Sequence, residues 1–176
     1  MPTWYGGWNN TVSYKNFDLN VFFRFSGGNK IMNASRQSAL FNMDFSNNGT
    51  EILGRWISPE QPGDGMTPKI GYGDASSLFN DGYTDSHFVE SGNYLKLSTL
   101  ALGYTLPKAV VSKLNMTKIR FYVQGQNLLT ITGYSGLDPQ VRTDDGSGNS
   151  KDRNMGTDYG SYGMPRQFIL GVNVTF

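Results

Sequence analysis

Counting back from Phe176 in the closing stretch QFILGVNVTF, every second residue is large and apolar: Phe176, Val174, Val172, Leu170 and Phe168. The set between them is Thr175, Asn173, Gly171, Ile169 and Gln167. Period two places successive side chains on opposite sides of an extended chain and predicts a strand with one greasy face. The same pattern predicts four more strands. Over 4–14, Trp4, Gly6, Trp8, Asn10, Val12 and Tyr14 oppose Tyr5, Gly7, Asn9, Thr11 and Ser13. Over 17–26, Phe17, Leu19, Val21, Phe23 and Phe25 oppose Asp18, Asn20, Phe22, Arg24 and Ser26. Over 94–106, Leu100, Leu102, Tyr104 and Leu106 oppose Thr99, Ala101, Gly103 and Thr105, while Leu95 and Leu97 fall out of phase and are assigned to neither face. Over 118–130, Ile119, Phe121 and Val123 oppose Arg120, Tyr122, Gln124 and Gln126.

The connections alternate between short and long: two residues at 15–16, about 67 at 27–93, 11 at 107–117 and about 36 at 131–166. Compact soluble domains seldom carry long irregular loops, let alone two on one side. Outer-membrane barrels do, with short periplasmic turns at one end and long extracellular loops at the other. With the last strand running toward the periplasm, parity puts both long loops outside the cell. Trp4 and Tyr14 lie ten steps apart on one face, about 33 Å at roughly 3.3 Å per residue. A tilt of about 40° projects that to about 25 Å, the height of the apolar band of such barrels. Asn10 counts against this picture, because it falls near the middle of the lipid face.

Composition fits strands and turns. Of 176 residues, 38% are hydrophobic and only 16% charged, with 22 glycines and 14% aromatics, against roughly 25% charged in an average soluble domain. Nowhere do 18 apolar residues run together, so no transmembrane helix is predicted. The mean hydropathy of −0.42 does not argue against a barrel, whose strands alternate. A net charge of +1 with scattered basic residues argues against a nucleic-acid groove. Cysteine is absent, which excludes thiolate metal sites, thiol nucleophiles and disulfides. The first residues carry neither a basic region nor an apolar core, so no secretion signal is expected within the chain.

Three runs, YLKLSTLALGYTLPK, IRFYVQGQNLLTITGYSGLDPQV and GTDYGSYGMPRQFILGVNVTF, resemble the C-terminal end of SusC/RagA-type TonB-linked outer-membrane transporters. The opening WYGGWNNTVSYKNFDLNVFFRFSGG is similar to the hairpin that precedes those runs in the family. The resemblance implies an all-β fold: antiparallel up-and-down strands forming the C-terminal part of a transmembrane β-barrel, about five of some 22 strands, with two long extracellular loops. It further implies location in the outer membrane of a Gram-negative bacterium and import of glycans, peptides or other large nutrients. Energy would come through TonB, contacted by a part that these five strands do not include, and a SusD-like lid lipoprotein would be the partner. No cofactor and no nucleic acid are implied. Phe176 resembles the terminal aromatic by which barrel assembly recognises its clients, although Ile169 is apolar where that pattern tends to be polar.

Candidate chemistry is sparse. His87, the single histidine, has only Ser86, Asp85 and Glu90 near it in sequence, too little for a triad. An enzyme is therefore the least expected class. The stretch 143–152 lacks the ligand spacing of an EF-hand, with glycines where oxygens are needed, so a loop calcium held by Asp138, Asp144, Asp145, Asp152 and Asp158 is a minor expectation. Among the loop aromatics Trp56, Tyr72, Phe79, Tyr83, Tyr134, Tyr159 and Tyr162, the ligand-contact candidates are Tyr134 and Tyr159, with Asp138 and Asp158 beside them. Arg24, Arg120, Tyr122, Gln124 and Gln126 are expected to face the lumen. Trp4, Trp8, Tyr14, Tyr104 and Phe176 are expected at the membrane interfaces and the closing strand. The alternative is a soluble carbohydrate-binding β-sandwich, in which the same apolar faces would pack inward.

Overall fold

The computed structural model describes residues 1–37, 47–69, 86–140 and 156–176. It divides into two compact units, one a sheet and one assembled from the two long connections.

The sheet unit holds five antiparallel strands in the order β1-β2-β5-β6-β8: Trp4–Tyr14, Phe17–Gly27, Tyr94–Thr105, Lys118–Thr132 and Gln167–Thr175. The two-residue turn works because Lys15 adopts a left-handed backbone, φ 54°, which lets Tyr14 pair directly with Phe17. The turn between β5 and β6 winds through Lys108–Val111 and Ser112–Leu114 and is stopped by Asn115 at φ 53°.

Register lines up the apolar positions row by row. Phe17 pairs with Tyr104, which pairs with Phe121, which pairs with Val172; the next row is Leu19, Leu102, Val123 and Leu170. The lost phase at Leu95 and Leu97 is a β-bulge. Phe22 pairs with Thr99 but Phe23 with Leu97, so Ser98 is passed over and the parity of β5 flips. Leu95 and Leu97 thereby rejoin the apolar face, opposite Phe25 and Phe23. On β6 the matching irregularity passes over Asn127 and Leu128, with Asn127 at φ 53°.

A sandwich would bury this face against a second sheet. Instead Leu102 is 45%, Phe121 46% and Leu170 82% exposed, so the expectation of a soluble sandwich is overturned. Asn10 does stand on that face, opposite Val21.

The second unit has a small sheet in the order β4-β3-β7, from Lys30–Asn33 (β3), Val89–Ser91 (β4) and Thr157–Asp158 (β7). β3 runs antiparallel to β4 and parallel to β7, so both long connections contribute strands to one ladder. Phe88, fully buried, gathers Met32 and Ile52 around it. These strands of two to four residues were not expected from the sequence.

Candidate functional site

Two surfaces of the sheet unit have opposite chemistry. The apolar side begins at the hairpin end with a row of rings, Tyr14, Phe17, Tyr104 and Phe121, cross-strand neighbours in that order. Phe17 and Tyr104 lie 4.7 Å apart between ring centres. At the far end Trp8 stacks on Phe23 at 5.7 Å and Trp4 leans on Phe25 at 6.1 Å. Between the two aromatic rows lie Leu19, Val21, Leu100, Leu102, Val123 and Leu170. Aromatic rows flanking an aliphatic band are the pattern that a sheet shows to lipid. Phe176 stands just beyond β8, exposed.

Arg24, Arg120, Tyr122, Gln124 and Gln126 share the other side. There Asn20 donates to Asn9 Oδ1 and Thr11 Oγ1, both at 2.9 Å. Arg120 reaches from β6 across β5 to both carboxylate oxygens of Asp18 on β2, with Nε 2.9 Å from Oδ1. The guanidinium also lies 5.3 Å from the centre of the Tyr122 ring. Lys96, which sequence reading left unassigned, stands between Arg24 and Thr130 and is fully buried.

In the unit built from the long connections, polar side chains tie the two segments together. The Tyr134 hydroxyl donates to Asp158 Oδ2 at 2.6 Å, and Tyr134 is only 5% exposed. Burial, and then the anionic acceptor, push the Tyr134 hydroxyl well above the ordinary tyrosine range. Glu90 accepts from the Ser135 amide and hydroxyl, both at 2.7 Å, and from Asn33 at 3.2 Å. Arg36 forks onto Glu51 and reaches Glu90 at 3.4 Å. The Glu51 carboxylate raises the Arg36 pKa further, against the effect of burial. His87 lies 3.5 Å from Arg36 Nη2 and edge-on to Phe88.

The four expected ligand contacts thus separate. Tyr134 and Asp158 are brought together and hold each other; Asp138 caps its own turn by accepting from the Gln140 amide at 3.0 Å; Tyr159 is exposed. Sequence reading missed Asp18, Arg36, Glu90 and Ser135, whose partners lie up to 102 residues away. Among the described residues no group of three or more His, Asp or Glu side chains could hold a metal. Asp144, Asp145 and Asp152, together with Tyr72, Phe79 and Tyr83, lie outside the described residues.

No family model matches the chain. Against curated proteins it is 33% identical over 175 residues to TonB-dependent receptor P3 of Formosa agariphila, covering 99% of this chain and 16% of that protein. To TonB-dependent receptor P26 of the same organism it is 33% identical over 181 residues, covering 100% of this chain and 17% of the relative. To TonB-dependent receptor SusC of Bacteroides thetaiotaomicron it is 24% identical, over 97% of this chain and 15% of that one. The chain therefore spans about a sixth of the length of the curated relatives it matches. Among solved structures, the RagAB peptide transporter superposes with a TM-score of 0.76 at 24% identity, covering 98% of this chain and 17% of the other. The RagAB peptide importer in its open-open state gives 0.73 at 23%, over 100% and 17%. The open five-stranded sheet is accordingly part of a transmembrane β-barrel wall. In sequence over nearly its whole length, and in fold, the chain matches a segment of the TonB-dependent receptors of the SusC and RagA kind.

Proposed function

We propose that this chain supplies wall strands and outward loops to an outer-membrane importer of glycans, peptides or other large nutrients, energised through TonB and working with a SusD-like lid lipoprotein. The observation that carries the reading is the apolar face, five strands wide and interrupted by Asn10, bounded by aromatic rows and left uncovered. A face of that area in water would drive aggregation; in hydrocarbon it is the stable arrangement once the outer edges of β1 and β8 are paired with further strands of the wall. The similarity to TonB-dependent receptors and to the RagAB peptide importer supports transport as the use of that wall. Arg24, Arg120, Tyr122, Gln124 and Gln126 then face the interior, where they line the permeation path or pack against a plug. Tyr159 stands as an outward contact for cargo, and the Tyr134–Asp158 pair holds the loop that presents it.

The test is uptake by cells whose receptor carries this chain, with labelled oligosaccharides and labelled peptides as separate arms. Uptake of at least one class is expected, abolished by a protonophore and by loss of TonB. Uptake that persists unchanged under both treatments would overturn the reading.

A further inference from the structure

The two short turns and the end of β8 meet at one end of the sheet: the Thr105 amide donates to the Asn16 carbonyl and the Thr117 amide to the Thr175 carbonyl, both at 2.8 Å. The stretches that form this rim, 14–18, 104–120 and 172–176, carry the basic side chains Lys15, Lys108, Lys113, Lys118 and Arg120, and a single acidic one, Asp18. Asp18 is committed to Arg120. The four lysines therefore stand exposed with no further acidic side chain among them, in a chain whose net charge is only +1.

The lysines divide by side. Lys118 has the parity of Arg120 and belongs to the polar face. Lys15 leans the other way: its Nζ lies 5.3 Å from the centre of the Tyr14 ring, which stands in the aromatic row of the apolar face, so the ammonium sits at the level of that row with its stem along the ring. Lys108 and Lys113 rise from the neighbouring turn. Next to the row, the apolar face is hollowed by a groove of ≈ 460 Å³ lined by Phe17, Leu102, Tyr104, Phe121, Val123 and Leu170, room comparable to one fatty-acyl tail. The short turns of transmembrane barrels face the periplasm, where the leaflet is phospholipid, and cations clustered at such a surface attract anionic headgroups. A phosphatidylethanolamine headgroup brings its own ammonium, which competes with the lysines for the phosphate. Phosphatidylglycerol presents a phosphodiester with no counter-charge.

We infer that this rim and groove form a site for one anionic phospholipid of the phosphatidylglycerol type, its phosphate on Lys15, Lys108 and Lys113 and an acyl tail in the groove. The site rests on the wall lying in a bilayer and not on what the receptor carries. The aromatic rows select lipid over water; the lysines add a choice among lipids.

The full receptor carrying this chain is reconstituted in phosphatidylcholine vesicles that hold a trace of phosphatidylglycerol, or of phosphatidylethanolamine, with a photoactivatable diazirine in the acyl tail. After illumination, adducts are mapped by mass spectrometry. Those on the segments holding Phe17, Tyr104 and Phe121 should be severalfold more frequent with phosphatidylglycerol. At about fivefold in affinity for each lysine near the surface, Lys15→Gln/Lys108→Gln/Lys113→Gln should bring that yield down to the phosphatidylethanolamine level. Lys118→Gln, on the polar face, should leave it unchanged. Equal yields from the two lipids in the unaltered receptor, a preference that survives the triple substitution, or a full loss in Lys118→Gln alone overturns the site. If both lipids label the groove equally, only the headgroup preference is lost; if neither labels it, the wall assignment falls as well. The importer reading is judged on uptake and stands apart from either result.

Discussion

Asp18 on β2 and Arg120 on β6 are joined in a two-pronged ion pair that passes over Gly103 of the intervening β5. A Cβ at Gly103 would meet the Arg120 guanidinium and the Asp18 carboxylate. The glycine is thus the gap through which two non-adjacent strands reach each other. Gly103→Val should cost about 1–3 kcal/mol by overpacking. Because it breaks the same contact as Arg120→Ala, the double variant should cost clearly less than the sum. Urea midpoints of the detergent-folded receptor measure this, and full additivity would show that the pair does not couple the strands.

Leu170 lies in the middle of the apolar face, in the row of Leu19, Leu102 and Val123, whereas Asn173 on the same strand lies on the polar side, opposite Arg120. Arginine at Leu170 should destabilise the membrane-inserted form by about 2–4 kcal/mol, and arginine at Asn173 by far less. Asn10→Leu should raise stability, since it replaces an amide with hydrocarbon on the lipid face. The readout is refolding equilibrium in lipid vesicles; equal costs at Leu170 and Asn173 would deny the lipid assignment.

Asn127 holds a left-handed backbone at the irregularity in β6 and donates from its amide to the Pro165 carbonyl at 3.1 Å. That conformation costs most residues about 1–2 kcal/mol but glycine almost nothing. Asn127→Val should therefore unfold at lower urea than Asn127→Gly, although glycine also loses the Pro165 bond. The reverse order would mean that the bond, not the backbone, governs the site.

Glu90 is pulled in two directions. Burial raises its pKa, but the Ser135 hydroxyl and amide, the Asn33 amide and the Arg36 charge outweigh it and leave the carboxyl below its ordinary value. A depressed carboxylate stabilises fully above the unfolded pKa of about 4.3 and loses that contribution as pH falls through the folded value. Glu51 and His87 also stand beside Arg36. The protection factor of the Ser135 amide, its intrinsic exchange rate at each pH divided by the observed rate, should be high near neutrality and fall in acid as Glu90 is protonated, and Glu90→Gln should flatten that dependence. An acid dependence that persists in Glu90→Gln would shift the cause to a neighbour.

Alternation was legible along β1, β2, β6 and β8 because each strand turns one side to a uniform medium, so no partner sheet complicates the pattern. It failed in β5 because one extra residue, Ser98, inverts parity, and only the pairing with Phe22 and Phe23 reveals which residue is extra. The elements β3, β4 and β7 are too short to show any period. Tyr134 was legible as a notable aromatic but not as a buried one, because its acceptor, Asp158, is fixed by the pairing of Asn33 with that residue in β7. Bonds across tens of residues leave no local trace in a single sequence.

The parallel pairing of Met32 and Asn33 with Thr157 and Asp158 has an evolutionary consequence. A residue inserted just before either partner would slip the ladder by one step and turn its side chains over. The Ser35 hydroxyl would then lose the Gly160 amide, and Asp158 would turn away from Tyr134. Length changes in the two connections should therefore accumulate in the stretches flanking this splice, and the two segments should be inherited as a matched set.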